Sequence, residues 1–324
     1  MTISNIERLN LFYNRFKSRD NVLVLVNADP DAIASAMAVK RLLWKKVASV
    51  TLSNINVIER PDNRAMVRLL GVRMVHTDKV QAGDYDRFVI VDSQPGHNER
   101  FASFPADVVI DHHPVEPHDD SGYFDIRPDY GAASTIMTEY LKAARIKPSI
   151  KLATALYLGI KTDTANFERN VLIEDVRAFR YVFQFANIYL ARKIEHADIK
   201  PEFLKYFSRA FDRIVFRKKR IFVHLGRVEN TDICVILADF FMRVSTVQWS
   251  VVSGEHEGLL VVILRNDGAR RDAGKTAKKF FGAMGSAGGH KSAARAEIPL
   301  KELYKRLSGR TDHEIQRWIM DKLG

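Results

Sequence analysis

Cysteine is almost missing from this chain: Cys234 stands alone among 324 residues. One thiol cannot make an internal disulfide, so a disulfide-stapled fold is excluded and a reducing compartment is the expectation. Long apolar runs are missing too. "VLVLV" and "CVILADFF" are far shorter than the roughly 20 residues that a bilayer-spanning helix needs. The opening "MTISNIERLN" has no basic stretch leading into an apolar core, so no secretory signal is read there and a cytoplasmic location is expected. No repeat and no low-complexity tract is visible. Acids are in deficit: 39 Asp and Glu face 50 Lys and Arg, a formal net charge of +11. Such a surplus favours anionic partners such as nucleotides or nucleic acid.

What is present is enough apolar sequence, 46% of the chain, for one large domain or two ordinary ones. The first half alternates short apolar runs with helical patterns. "NVLVLV" (21–26), "SVTLS" (49–53), "DRFVIVD" (86–92) and "DVVID" (107–111) read as strands. "SAMAVKRLLWKK" (35–46), "RPDNRAMVRLLG" (60–71), "AASTIMTEYLKAA" (132–144) and "SIKLATALYLGIKTDT" (149–164) read as helices, the second stopped by Gly71. That alternation predicts an α/β lobe with a parallel sheet. A helical stretch follows, and then a second series of strands and helices from "RIFVHLGRV" onward. The expected organisation is a parallel-sheet lobe over 1–190, a helical connector over 191–214 and a smaller α/β lobe over 215–324.

Acids gather at the ends of these segments. Strand one runs into "NADPDAIAS", which places Asp29 and Asp31 just past it, with Asp31 positioned to cap the next helix. "RFVIVD" ends on Asp92, "VVIDHHP" on Asp111, His112 and His113, and the helix "ALYLGIKTDT" carries Asp163 near its end. In open parallel sheets ligands bind outside the carboxyl ends of the strands, so these groups are expected to converge on one rim. Several carboxylates there would repel one another and raise one another's pKa values. A pair of divalent cations removes that penalty, and oxygen ligands with an imidazole suit Mn²⁺ or Mg²⁺. Two such ions can clamp both the attacking and the leaving oxygen of a phosphoryl displacement.

The ordered set "NADPDAIAS", "VDSQP", "DHHP" and "LYLGIKTDTANF", with "GSAGGHKSAARAEIP" (285–299) far downstream, resembles the DHH-family phosphoesterases. The distant Gly-Gly-His resembles the motif of their associated C-terminal substrate domain. The resemblance implies that Asp29 and Asp92 hold one ion, and that Asp31, Asp92, His112 and Asp163 hold a second. His113 would face the scissile phosphate, and Asp111 would orient an imidazole. It further implies that Gly288 and Gly289 let backbone approach the substrate while His290 and Arg265 bind its far phosphate. Arg270 and Arg271 add positive charge there; Lys275 reads equally well as a solvated helix face. Many members have a His where this chain has Leu25. RecJ-type exonucleases also lack it, so the gap does not imply a dead enzyme; with one imidazole fewer the first metal site is expected to be weak, with the Asn27 amide oxygen as a substitute ligand or as the holder of a metal-bound water.

The expected activity is Mn²⁺-dependent hydrolysis of short oligoribonucleotides or 3′-phosphoadenosine 5′-phosphate, of the nanoRNase and pAp-phosphatase kind, in a cleft between two lobes. Cleavage of a cyclic dinucleotide such as c-di-AMP, and a non-catalytic nucleotide sensor, are the alternatives. The expected partner is a short nucleotide or oligonucleotide, with no membrane partner; a homodimer is left open.

Overall fold

The computed structural model describes residues 3–324 apart from 59, 118–120, 170, 196–200 and 308. Its contacts divide the chain into two compact units, Met1–Asp198 and Ile199–Gly324.

The first unit runs α1 (Asn5–Tyr13), β1 (Asn21–Val26), α2 (Pro30–Leu42), β2 (Ser49–Asn54), α3 (Pro61–Leu70), β3 (Met74–His76), β4 (Arg87–Val91), α4 (Glu99–Ala102), β5 (Val108–Asp111), β6 (Tyr123–Ile126), α5 (Ala133–Ala143), α6 (Ile150–Asp163), α7 (Ile173–Phe183) and α8 (Ile188–Glu195). Its six strands form one sheet in the order β3-β2-β1-β4-β5-β6, and every neighbouring pair is parallel. The run Val22–Val26 is buried throughout because both faces of the sheet are covered. Side chains alternate between two cores. Val22, Val24 and Val26 join the larger core with Ile33, Ile136 and Leu156. Leu23 and Leu25 join a smaller one with Ile90, Phe101 and Val109. The chain leaves β1 outward to β2 and β3, then returns to β4 on the other side. That reversal opens a crevice at the carboxyl ends of β1 and β4.

α2 begins at Pro30, five residues before the sequence pattern suggested, because "PDAIA" continues a buried face with small residues. Its cap is Asp29, not Asp31: the Asp29 carboxylate accepts the Ala32 N–H at 2.9 Å. The expected connector takes in 196–200, which lie outside the described residues; α8 precedes them.

The second unit contains α9 (Leu204–Arg213), β7 (Val215–Arg217), β8 (Arg220–Arg227), α10 (Asp232–Phe241), β9 (Trp249–His256), β10 (Leu259–Asn266), α11 (Ala273–Phe281), β11 (Ser286–Gly289), β12 (Ala293–Pro299), α12 (Leu300–Tyr304) and α13 (Asp312–Leu323). Its sheet order is β11-β12-β10-β9-β8-β7; β8 and β9 pair in parallel and the other pairs are antiparallel. One face packs Leu260, Leu264, Phe281 and Ile298, the other Val223, Leu237, Phe241 and Ile263. Cys234 is buried in the second of these cores.

Candidate metal centre

Four segments deliver their polar residues to the carboxyl rim of the first sheet. Asp92 follows β4 with a left-handed backbone, φ 56°. An Asp tolerates that region better than most residues, and the turn re-aims its carboxylate. His112 and His113 follow β5 directly, and Asp163 is the last residue of α6. Asp31 lies in the first turn of α2.

His112 is the hub. Its Nε2 lies 2.9 Å from Asp163 Oδ2, 3.3 Å from Asp92 Oδ1 and 3.9 Å from Asp31 Oδ2. Its Nδ1 donates to the Tyr130 carbonyl at 3.1 Å, which fixes the ring and turns Nε2 toward the acids. Although surrounded by carboxylates, His112 Nε2 and Asp92 Oδ1 are both buried without a well-aligned hydrogen bond. Asp31 is almost fully buried and is held by α5: Ala133 N–H and Ser134 N–H donate to its two oxygens at 2.6 and 2.7 Å. Asp29 is committed through one oxygen to its helix cap. Residues 27–29 are themselves clamped, because Asn56 and Asn63 donate side-chain amides to the Ala28 carbonyl and Asn56 accepts its N–H.

The electrostatics follow from crowding. Burial, then Asp163, and less strongly Asp31, push Asp29 up to about 7. Burial, then Asp163, push Asp31 up to about 6 against the pull of His112 and the Ser134 amide. Burial, Asp31 and Asp29 raise Asp92 well above the ordinary carboxylate value. Burial opposes charge on His112, but Asp163, Asp92 and Asp31 outweigh it and push it up to about 12. Asp163 is correspondingly lowered, burial being outweighed by His112. A single proton on His112 therefore neutralises only part of the cluster. The buried nitrogen and oxygen that lack a well-aligned hydrogen bond, the oxygen-rich donor set and the mutual repulsion all fit a bound divalent cation.

Asp111 is fully buried and accepts from His113 Nδ1 at 2.8 Å and from Gln94 Nε2 at 2.7 Å. Burial works against its charge, but these bonds outweigh burial and lower its pKa. His113 is thus locked by Nδ1, leaving Nε2 for another group. Gln94 and His97 escaped the sequence reading. His97 stands edge-on to His113, ring centres 5.4 Å apart, and its Nδ1 lies 3.1 Å from Ser93 Oγ. Its signal was its place five residues after Asp92. Leu25 is fully buried in the smaller core, and Asn27 is exposed.

In the second unit Gly288 and Gly289 lie in β11. At Gly289, φ is 143° and an added Cβ would stand 2.3 Å from the Ala293 carbonyl oxygen, so the strand pairing itself requires glycine. At Gly288 a Cβ would meet nothing within 4 Å. The His290 backbone binds both Ala293 and Gly274. Arg265 Nε donates to Asp239 at 2.7 Å. Arg270 and Arg271 line a cavity of about 410 Å³ with Lys218, Lys219, Arg220, Gln248, Trp249, Asp267 and Ala269. Among these liners one acid faces five cations. That basic, tryptophan-sided groove was not read from the sequence, since its cations come from two segments some fifty residues apart.

Residues 21–160 match the DHH family, N-terminal domain. An uncharacterized protein of Methanocaldococcus jannaschii is 30% identical over 302 residues, covering 93% of this chain and 61% of that protein. The probable bifunctional oligoribonuclease and PAP phosphatase NrnA of Streptococcus mutans is 24% identical over 194 residues, covering 56% of this chain and 58% of that protein. The chain thus spans about three fifths of the length of the curated relatives it matches. Among solved structures, an exopolyphosphatase-related protein from Bacteroides fragilis has the same fold, with a TM-score of 0.75 and 17% identity, covering 98% of this chain and 95% of that one. Exonuclease RecJ bound to manganese matches with a TM-score of 0.51 and 13% identity, over 94% and 92% of the two chains. The matched region holds every strand-end acid described above and all of α6 except its last three residues, Asp163 among them, and on that evidence residues 21–160 are a DHH-family N-terminal domain.

Proposed function

We propose that this chain is a divalent-cation-dependent phosphoesterase acting on short oligoribonucleotides, with 3′-phosphoadenosine 5′-phosphate as a further substrate. One observation carries the reading: His112 Nε2, buried and without a well-aligned hydrogen bond, sits within 4 Å of carboxylate oxygens from Asp31, Asp92 and Asp163. Asp31, Asp92, His112 and Asp163 would hold one ion, and Asp29 with Asp92 a second, with Mn²⁺ preferred and Mg²⁺ tolerated. Divalent ions in such a site polarise phosphoryl oxygens and make water a better nucleophile.

The chain's own residues do the rest. The Tyr130 carbonyl keeps His112 turned toward the acids. Asp111, steadied by Gln94, holds His113 by Nδ1 and would stabilise a positive charge on the ring, and in that imidazolium form Nε2 can donate to a phosphoryl or leaving oxygen as charge builds there. In the second unit, the groove beside Trp249 offers cations for phosphates and a ring for a base. The groove and the name of the Streptococcus mutans relative favour an oligonucleotide.

The test is a substrate panel of short RNA, 3′-phosphoadenosine 5′-phosphate, linear and cyclic dinucleotides and pyrophosphate, each with Mn²⁺ and with Mg²⁺. Release of mononucleotides from short RNA is the expected result. Turnover confined to a cyclic dinucleotide, or binding without turnover, would refute the proposal.

A further inference from the structure

A second imidazole–carboxylate cluster lies in the other unit. His224 on β8, Glu255 on β9 and Asp312 at the start of α13 each place a donor atom within 4.8 Å of the others. His224 is fully buried, and its Nε2 has no hydrogen-bond partner. The nearest carboxylate oxygen recorded for it, Asp312 Oδ1, is 3.7 Å away. That is too long for a hydrogen bond. It is close to the roughly 3.4 Å that separates two ligands sharing a tetrahedral ion with bonds of about 2.1 Å.

The surroundings favour a ligand at this point. Ser253 Oγ lies 2.9 Å from His224 Nδ1 and also reaches the Val223 carbonyl at 3.4 Å. With its own proton on Val223, the hydroxyl accepts Nδ1–H and leaves a lone pair on Nε2, the tautomer a metal requires. Arg213 holds the other oxygen, Asp312 Oδ2, so Oδ1 is the one turned to His224. Gly226 has φ 68°, and a Cβ there would stand 2.6 Å from Asp312 Oδ2, so glycine makes the room for this acid. β8 and β9 shift register between His224 and Arg227, a bulge that re-aims the local side chains. The charge balance is mixed: Arg213 and Arg227 act on Asp312 and Glu255, and these two acids repel each other. The pattern repeats that of His112, a buried imidazole with Nδ1 anchored and Nε2 open toward acids.

We propose that His224, Glu255 and Asp312 form a divalent transition-metal site, of the zinc type, that pins the N-terminus of α13 to β8 and β9. It has no part in the phosphoesterase reading and stands or falls separately. One imidazole and two carboxylates complete three of four tetrahedral positions and leave one for water.

The probe is Zn²⁺ alone, added to full-length protein carrying Asp92→Asn, His112→Ala and His113→Ala, which break each of the three histidine–carboxylate groups described in the first unit. Equilibrium dialysis should find one bound Zn²⁺ per chain, and thermal unfolding should shift upward with zinc. Co²⁺ in the same protein should give the visible absorption of a four- or five-coordinate ion. Adding Glu255→Gln or Asp312→Asn should weaken zinc binding at least about tenfold, since even outer partners of metal ligands are worth 10–100-fold. Glu255→Gln keeps shape and lies at a half-buried position, so circular dichroism should show an intact fold. No zinc bound by the background protein overturns the site, and so does zinc binding that neither added substitution weakens.

Discussion

Gly159 on α6 lies directly against Asp31 on α2: a Cβ built on Gly159 would stand 2.9 Å from Asp31 Oδ1, 3.1 Å from its Cα and 2.3 Å from Ser134 Oγ. The glycine of "LGIKTD" is therefore needed for close approach of α6 to the acids, and α6 also carries Asp163. Gly159→Ala should push α6 outward. Overpacking of this kind destabilises by about 1–3 kcal/mol. Urea unfolding should register that loss, and Mn²⁺ titration should show weaker binding in the folded variant.

Asp92 touches more of the proposed chemistry than any other acid. Asp92→Asn and His112→Ala should each lower turnover by at least about 100-fold, because each removes a proposed ligand, not merely a partner of one. Metal-free Asp92→Asn should be at least as stable as the parent, since it removes a buried acid crowded by Asp31 and Asp29. Rates on short RNA, with melting curves in chelator, check both statements.

The metal-free protein should lose stability as pH rises. In the folded state Asp31 and Asp29 keep protons up to about 6 and about 7, whereas the unfolded chain releases them near 3.8. The folded state thus binds more protons between these limits, so stability falls with rising pH across that window. His112 acts in the same direction above its ordinary value of 6.5, because it too holds its proton longer when folded. Melting temperatures in chelator should decline from pH 5 to pH 8, and Mn²⁺ should flatten or reverse the trend by binding the deprotonated acids.

Lys219→Ala or Arg271→Ala should weaken binding of a short single-stranded oligonucleotide and reduce the salt dependence of log K by about one phosphate contact. Hydrolysis of a small generic phosphodiester should be unaffected. Fluorescence anisotropy at several salt concentrations measures the first effect.

Leu25→His should not rebuild the usual first ligand without penalty. Leu25 is fully buried among Ile90, Phe101 and Ile55, so an imidazole there leaves a polar group unsatisfied at about 1–3 kcal/mol. Asn27→Ala, at an exposed position, should leave stability unchanged. Calorimetric Mn²⁺ titration of the parent should find two unequal sites, the weaker one at Asp29.

Much of this arrangement was legible in one dimension. β1 was readable to the residue, because a strand covered on both faces is an unbroken apolar run with sharp polar ends. Asp92 and His112 stood out because they follow such runs at the same rim, and Asp163 because it closes an apolar helix. The start of α2 was not, since small residues hide the helical period, and the cap passed to Asp29. Short β3 and β6 carry too few residues to show any period. The partners of the acids were out of reach for a different reason. Tyr130 lies 18 residues from His112, Gln94 17 residues from Asp111, and Arg265 finds Asp239 26 residues away. Only the folded chain brings such pairs together.

The amides that hold Asp31 belong to residues made much later. Ala133 lies 102 residues downstream, and at roughly 5–20 residues per second a ribosome needs about 5–20 s to make that stretch. Until then α2 presents a bare carboxylate at the mouth of an unfinished sheet. The central strands β1 and β2 can pair early, but the rim stays open until α5 emerges. A nascent chain stalled between β4 and α5 would therefore expose the very acids that the finished protein buries, and chaperones would meet this unit with its charged edge still wet.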